Sequence, residues 1–206
     1  VIVDDNELWV DGKKVASGSQ LIRTVSFSPD GKRLAWVEEK GRQRWVVVDG
    51  KRGPEHTNLL STSTWFAFSP DGAHLAYVGN LDDKVALFLD GDIVSKERPG
   101  QQYGFSPDGK RFFYNIIDGD DYRWVVDDRP GALRYDGDVQ GLGIVFSADS
   151  KRWATVGGKK GKVRIVIDDE EVGPPLRTSR ALRWSTRGKL IVFAQDNDGI
   201  VLVRET

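Results

Sequence analysis

The chain has 206 residues, 39% of them hydrophobic and 30% charged, which is the composition of one globular domain and excludes a disordered polymer. Thirty Lys and Arg against 31 Asp and Glu leave a net charge of −1, without the basic excess that a nucleic acid or an anionic membrane demands of a partner. Cysteine is absent, which excludes disulfides, thiolate metal sites and cysteine nucleophiles, and no apolar run approaches the roughly 18 residues of a membrane-spanning helix.

In chain order, the first strand signal is Glu7-Leu8-Trp9-Val10, followed by Asp11-Gly12 and a second short run, Lys13-Lys14-Val15. A strand over Arg23–Phe27 then runs into Ser28-Pro29-Asp30-Gly31. This is a tight-turn sequence: Pro pre-sets φ, Asp bonds its own backbone and Gly accepts a positive φ. A strand over Leu34–Val37 follows, then a polar loop, a third strand over Arg44–Val48, the hairpin signal Asp49-Gly50 and a short fourth strand.

The whole unit recurs. Phe27-Ser28-Pro29-Asp30-Gly31 returns as Phe68-Ser69-Pro70-Asp71-Gly72 and Phe105-Ser106-Pro107-Asp108-Gly109. Two degenerate copies follow, Phe146-Ser147-Ala148-Asp149-Ser150 and Trp184-Ser185-Thr186-Arg187-Gly188, at steps of 41, 37, 41 and 38 residues. The third strands are expected over Val85–Leu89, Tyr122–Val126, Val163–Ile167 and Ile200–Val203. Asp90-Gly91, Asp127-Asp128 and Asp168-Asp169 close the first three of these as Asp49-Gly50 does. The last two motif turns lack Pro and either Gly or Asp, so looser turns are expected there.

Strands this short, rich in Val, Ile and aromatics and often apolar at consecutive positions, are buried on both faces, and no stretch carries a helical period. The reading is an all-β propeller of about five four-stranded antiparallel blades, forming a single domain over residues 1–206. A β-sandwich does not account for the repeated turn. Glu7–Val15 matches a third strand, turn and fourth strand, whereas the last repeat stops after its third strand. The N-terminal segment is therefore expected to close the ring by completing the final blade. Six blades with one partial is the alternative.

Phe-Ser-Pro-Asp-Gly-Lys-Arg-Leu-Ala-Trp (27–36) closely resembles the repeat of TolB-type, WD-repeat-like bacterial propellers, and the resemblance runs nearly the length of the chain. It implies the propeller fold and a periplasmic or extracellular setting. Its functions range over protein-interaction modules, gating domains of peptidases and envelope proteins, so fold analogy does not choose among them.

Little in the sequence supports catalysis. The two histidines are His56, in a loop after Gly53-Pro54-Glu55, and His74, a solvent-facing residue where other copies have Arg33, Arg111 and Arg152. No Gly-x-Ser-x-Gly elbow occurs, and two histidines without cysteine do not make a zinc site. A propeller glycosidase needs facing carboxylates, and the expected inner strands 23–27, 64–68, 101–105, 142–146 and 180–184 contain neither Asp nor Glu. Asp118-Gly119-Asp120-Asp121 and Asp196-Asn197-Asp198-Gly199 lack the spacing of a calcium loop.

The candidate binding residues stand at the starts of the inner strands, where the channel mouth is expected: Arg23, Thr64, Gln101, Gln102, Gln140 and Arg180, with Trp65 and Tyr103 just below. The expected function is a non-catalytic, monomeric scaffold for a protein or peptide, without cofactor, metal, nucleic acid or membrane insertion. A carbohydrate or small-ligand binder is the alternative. Methionine is absent even at residue 1, and no charged-then-apolar leader opens the chain. A processed product, a piece of a larger enzyme such as a peptidase, or an engineered sequence is therefore also expected.

Overall fold

The second turn of each repeat organises the backbone. The computed structural model describes all residues but 1, 5–6, 18–20, 58–65, 83, 96, 137–142, 186–187, 197–198 and 205–206. Asp49 and Gly50 have φ of 51° and 81°, Asp90 and Gly91 54° and 94°, Asp127 and Asp128 52° and 59°, and Asp168 and Asp169 50° and 72°. Two successive positive φ values make a type I′ hairpin, whose twist matches the strands it joins. Asp11 and Gly12, at 49° and 73°, make the same turn near the N-terminus.

The described strands form six antiparallel sheets without a helix. The first sheet pairs β1 (Ile2–Asp4), β2 (Glu7–Val10) and β3 (Lys13–Ser17) in order. The first blade is β4 (Leu21–Phe27), β5 (Leu34–Lys40), β6 (Gln43–Val48) and β7 (Lys51–His56). The second is β8 (Ala67–Phe68), β9 (Leu75–Leu81), β10 (Lys84–Leu89) and β11 (Asp92–Ile93). The third is β12 (Pro99–Phe105), β13 (Phe112–Asp118), β14 (Asp121–Val126) and β15 (Arg129–Pro130), with β16 (Tyr135–Asp136) also on β14. The fourth is β17 (Val145–Phe146), β18 (Trp153–Lys159), β19 (Lys162–Ile167) and β20 (Glu170–Leu176), and the fifth β21 (Thr178–Trp184), β22 (Leu190–Asp196) and β23 (Gly199–Arg204). Meandering four-stranded blades that bear one motif each are the architecture of a β-propeller. No described pairing joins β1–β3 to β21–β23, so closure by the N-terminal segment stands as a proposal.

By its contacts the chain divides into two units, Val1–Lys96 and Glu97–Thr206. In the first, Ala35, Val37 and Val46 of blade one meet Leu75, Tyr77, Ala86 and Phe88 of blade two, and Leu8 of the N-terminal sheet packs with Trp36 and Val47. In the second, Tyr122, Trp124 and Tyr135 of blade three meet Trp153 and Val166 of blade four, whose opposite face packs Ile165, Ile167 and Leu176 against Leu182 of blade five. Both faces of blades one and four are thus covered, as the continuous apolar runs require. The outermost strands β7, β15 and β20 carry Pro54, Pro130 and Pro174-Pro175, which blunt an edge against pairing with another chain.

Two expectations need correction. The fourth motif turn is not looser: Ser150 adopts φ 60°, and its N–H donates to the Ser147 carbonyl at 2.8 Å, as Gly31 N–H does to Ser28 at 2.8 Å. In the fifth copy the closing bond runs from Ser185 N–H to Lys189 O, whereas in the first it runs from Ser28 to Arg33, so that turn is one residue shorter. His56 lies not in a loop but at the end of β7, fully buried and edge-on to the stacked rings of Tyr77 and Phe88. The type I′ turn at 49–50 lets Lys51 start a strand at once, and the strand continues through Gly53-Pro54.

Candidate functional site

At the motif turns nearly every polar group has a structural partner. The hydroxyls of Ser28, Ser69, Ser106 and Ser147 donate to Asp30, Asp71, Asp108 and Asp149 at 2.5 to 2.7 Å. Each carboxylate also accepts the backbone N–H two residues on, at 3.1 to 3.2 Å. Those serine hydroxyls, and then the backbone donors, hold all four carboxyls below the ordinary Asp range.

The second turn repeats the pattern. Asp49, Asp90, Asp127 and Asp168 accept the first N–H of the blade's second strand, from Leu34, Leu75, Phe112 and Trp153, at 2.8 to 3.3 Å. The other oxygen of each faces Arg33, His74, Arg111 or Arg152 at 2.7 to 2.9 Å. Arg33 also donates to the carbonyls of Gly72 and Ala73 in the next blade, at 3.3 and 2.6 Å, and Arg111 likewise to Ser150 and Lys151, at 3.2 and 2.8 Å. The guanidiniums of Arg33, Arg111 and Arg152 lie 6.0, 5.1 and 5.5 Å from the ring centres of Phe68, Phe146 and Trp184. The motif aromatic therefore serves as a platform for the previous blade's arginine. His74, expected to face solvent, is exposed yet sits in this latch beside Asp90. The signal was present in the sequence as Arg33, Arg111 and Arg152, each two residues after its motif, with His74 at the same place in the second copy.

The starts of the inner strands differ. Arg23, Thr64, Gln101 and Arg180 all stand four residues before their motif aromatic. The ladder of β4 on β5 shifts register between Arg23 and Val25, with Thr24 at φ 50°. That of β12 on β13 shifts between Pro99 and Tyr103, and that of β21 on β22 between Ser179 and Ala181, leaving Arg180 at the bulge. Gln101 is exposed and Gln102 half-buried, with the Gln102 N–H donating to Asn115 Oδ1 at 3.0 Å. Tyr103 is half-buried, and burial pushes its phenol up to about 12. Thr64, Trp65 and Gln140 lie outside the described residues, as do the side chains of Arg23 and Arg180. Arg23 belongs to the first unit; Gln101, Gln102, Tyr103 and Arg180 belong to the second. Nothing in the residue types foretold the bulges.

Among the described residues no three His, Asp or Glu gather as a metal site, and no helix is long and apolar enough to cross a membrane. The fold is similar to the β-propeller domain of the Trilobed protease from Pyrococcus furiosus, with a TM-score of 0.51 over 89% of this chain and 70% of that one, at 8% identity. Similarity extends to TolB from Acinetobacter baumannii (TM-score 0.45, 17% identity, 94% of this chain) and a putative TolB from Agrobacterium tumefaciens (TM-score 0.45, 21% identity, 90% of this chain and 74% of that one). The chain spans 56% of the length of the Acinetobacter baumannii TolB. Comparison of the sequence with family profiles and with curated proteins finds no match. The meandering four-stranded sheets and the likeness to the Trilobed protease domain establish the class: the protein is a β-propeller.

Proposed function

We propose that the protein is a non-catalytic binding scaffold that recognises a protein or peptide through the starts of its inner strands. One observation carries the reading: the ladder is broken at corresponding places in blades one, three and five. A bulge costs backbone pairing and re-aims the side chains beside it, and such devices gather next to functional sites. The residues there, Arg23 in the first unit and Gln101, Gln102 and Arg180 in the second, are cationic or amide-bearing, suited to a carboxylate or a peptide backbone. At the turn end, by contrast, the motif carboxylates and arginines are bonded within the fold, so backbone and blade structure already account for them. Tyr103 is half-buried, which favours peptide over sugar, since a sugar needs an open aromatic face.

The test is a binding screen of peptides, sugars and carboxylates against the wild type and the variants Arg23→Ala, Arg180→Ala and Gln101→Ala/Gln102→Ala. A peptide ligand weakened about tenfold or more by at least one of them supports the reading. A ligand whose affinity all three leave intact refutes it, as does turnover of a peptidase or glycosidase substrate.

A further inference from the structure

Within the first unit a cavity of about 360 Å³ opens between blades one and two, at the end of the blades that carries the paired turns. Its walls are Val46 and Val48 of β6, Lys51 to Gly53 of β7, and Leu75 and Tyr77 of β9, with latch residues at the rim. The volume lies in the range of small-ligand sites. It is separate from the inner-strand starts and independent of the function proposed for them.

Three features set it apart from a packing gap. The first is an orphaned polar group: Tyr77 is 2% exposed, and its hydroxyl has no hydrogen-bond partner. A buried hydroxyl without a partner costs about 1–3 kcal/mol, which a ligand oxygen accepting from it would regain. The second is the strand above it. The β6–β7 ladder shifts register between Trp45 and Val47, bulging at Gly53-Pro54. A Cβ on Gly53 would stand 3.5 Å from the Tyr77 hydroxyl and 3.3 Å from the Val46 carbonyl, so a side chain there would occupy the approach to the phenol. The third is charge. Three cations, Arg33, Lys51 and Arg52, line the cavity against two acids, Asp49 and Asp90. Arg33 is held by Asp49 and Arg52 by Glu38, whereas exposed Lys51 makes no ion pair among the described residues. Val46, Val48 and Leu75 supply an apolar wall.

From this arrangement we infer a binding site for a carboxylate carried on a small apolar body, with the Tyr77 hydroxyl donating to one oxygen, Lys51 supplying the countercharge and the Val46–Val48–Leu75 wall taking the apolar part. Burial keeps the phenol protonated, so it can donate at any physiological pH. Either a free acid or the C-terminal residue of a peptide presents this chemistry.

The experiment titrates the full chain with N-acetyl-leucine, with N-acetyl-leucinamide, and with a leucine-terminated pentapeptide as free acid and as amide, followed by ligand-observed NMR and calorimetry. The acids are expected to bind saturably and the amides about tenfold more weakly. A pentapeptide acid far tighter than N-acetyl-leucine identifies a chain terminus as the source, and equal affinities identify a free acid. Tyr77→Phe should weaken acid binding about tenfold while leaving the melting temperature unchanged or higher, because no intramolecular bond is lost. Lys51→Ala should weaken binding without affecting stability, and Gly53→Val should block it. The inference is overturned if neither acid binds saturably, if acids and amides bind alike, or if Tyr77→Phe and Lys51→Ala both leave binding intact.

Discussion

Gly31 and Gly72 occupy the same motif position with φ of 71° and 72°, but their surroundings differ. A Cβ on Gly31 would meet nothing within 4 Å, whereas on Gly72 it would stand 2.9 Å from Asp30 Oδ1 and 3.3 Å from Ser28 Cβ, in the preceding blade's turn. Asp30 cannot simply swing aside, because it accepts from the Ser28 hydroxyl at 2.6 Å and the Lys32 N–H at 3.1 Å. Gly31→Ala should therefore cost only the left-handed penalty, about 1–2 kcal/mol. Gly72→Ala adds an overpacking cost of about 1–3 kcal/mol, and Gly72→Val adds more. Gly72→Ser is expected to recover part of the loss. The equivalent Ser150, at φ 60° and 3% exposed, accepts the Asp108 N–H on its hydroxyl at 3.1 Å, and Asp108 corresponds to Asp30. Urea denaturation of the four variants, fitted at a common slope, measures the differences. Equal destabilisation by Gly31→Ala and Gly72→Ala would show that the blades do not touch at this turn and refute the reasoning.

Leu8 is fully buried against Trp36 and Val47, so Leu8→Ala should cost about 2–5 kcal/mol, and deleting residues 1–17 should lower the melting temperature markedly. An unchanged melting curve would mean that the N-terminal sheet is dispensable, for packing and for closure alike. Arg111→Ala loses bonds to Asp127, Ser150 and Lys151 and the Phe146 ring contact, about 1–3 kcal/mol given that the Asp127 side chain is 41% exposed. Arg111→Lys should regain less than half of it, since an ammonium cannot span both blades; full rescue would reduce the latch to simple charge pairing. Two pH windows are expected. Burial lowers the pKa of His56, so the unfolded chain binds its proton first, and stability declines as pH falls below about 6.5. The depressed carboxyls of Asp30, Asp71, Asp108 and Asp149 contribute stability above the ordinary Asp range that is lost as pH falls through their folded values. Melting curves of the wild type, His56→Phe and Ser106→Ala from pH 8 to 3 separate the windows. A slope near pH 6 that survives His56→Phe would contradict the first assignment, and an acid limb untouched by Ser106→Ala the second.

Turn chemistry was the part of this protein most readable from sequence, because Pro, Asp and Gly act on the backbone locally. The positive φ at Gly72 and the paired values at Asp49-Gly50 appear where the dipeptides stand. Strand order followed, since a two-residue turn leaves the next strand no neighbour but the last. What local chemistry does not encode was missed. A bulge such as that at Thr24 depends on how two whole strands drift out of step, and Thr24 itself carries no mark of it. The interior place of His56 depends on Tyr77 and Phe88, which belong to a different blade. The latch arginines lay between these cases: their recurrence was plain, but their acceptors, such as Gly72 and Ala73, stand 39 and 40 residues onward.

The forward reach of those arginines bears on how such a chain can lengthen. Arg33 and Arg111 each clasp the blade that comes next in sequence, through backbone carbonyls that any amino acid supplies and the ring of one motif aromatic, so a neighbour is recognised by its turn and that single ring. A duplicated gene segment encoding one blade would arrive with its own clasp and present an acceptable turn to the clasp before it. Its copies could then diverge at nearly every other position without losing their grip. The serine in place of glycine at position 150, where Arg111 still finds its carbonyls, is divergence of that kind already under way.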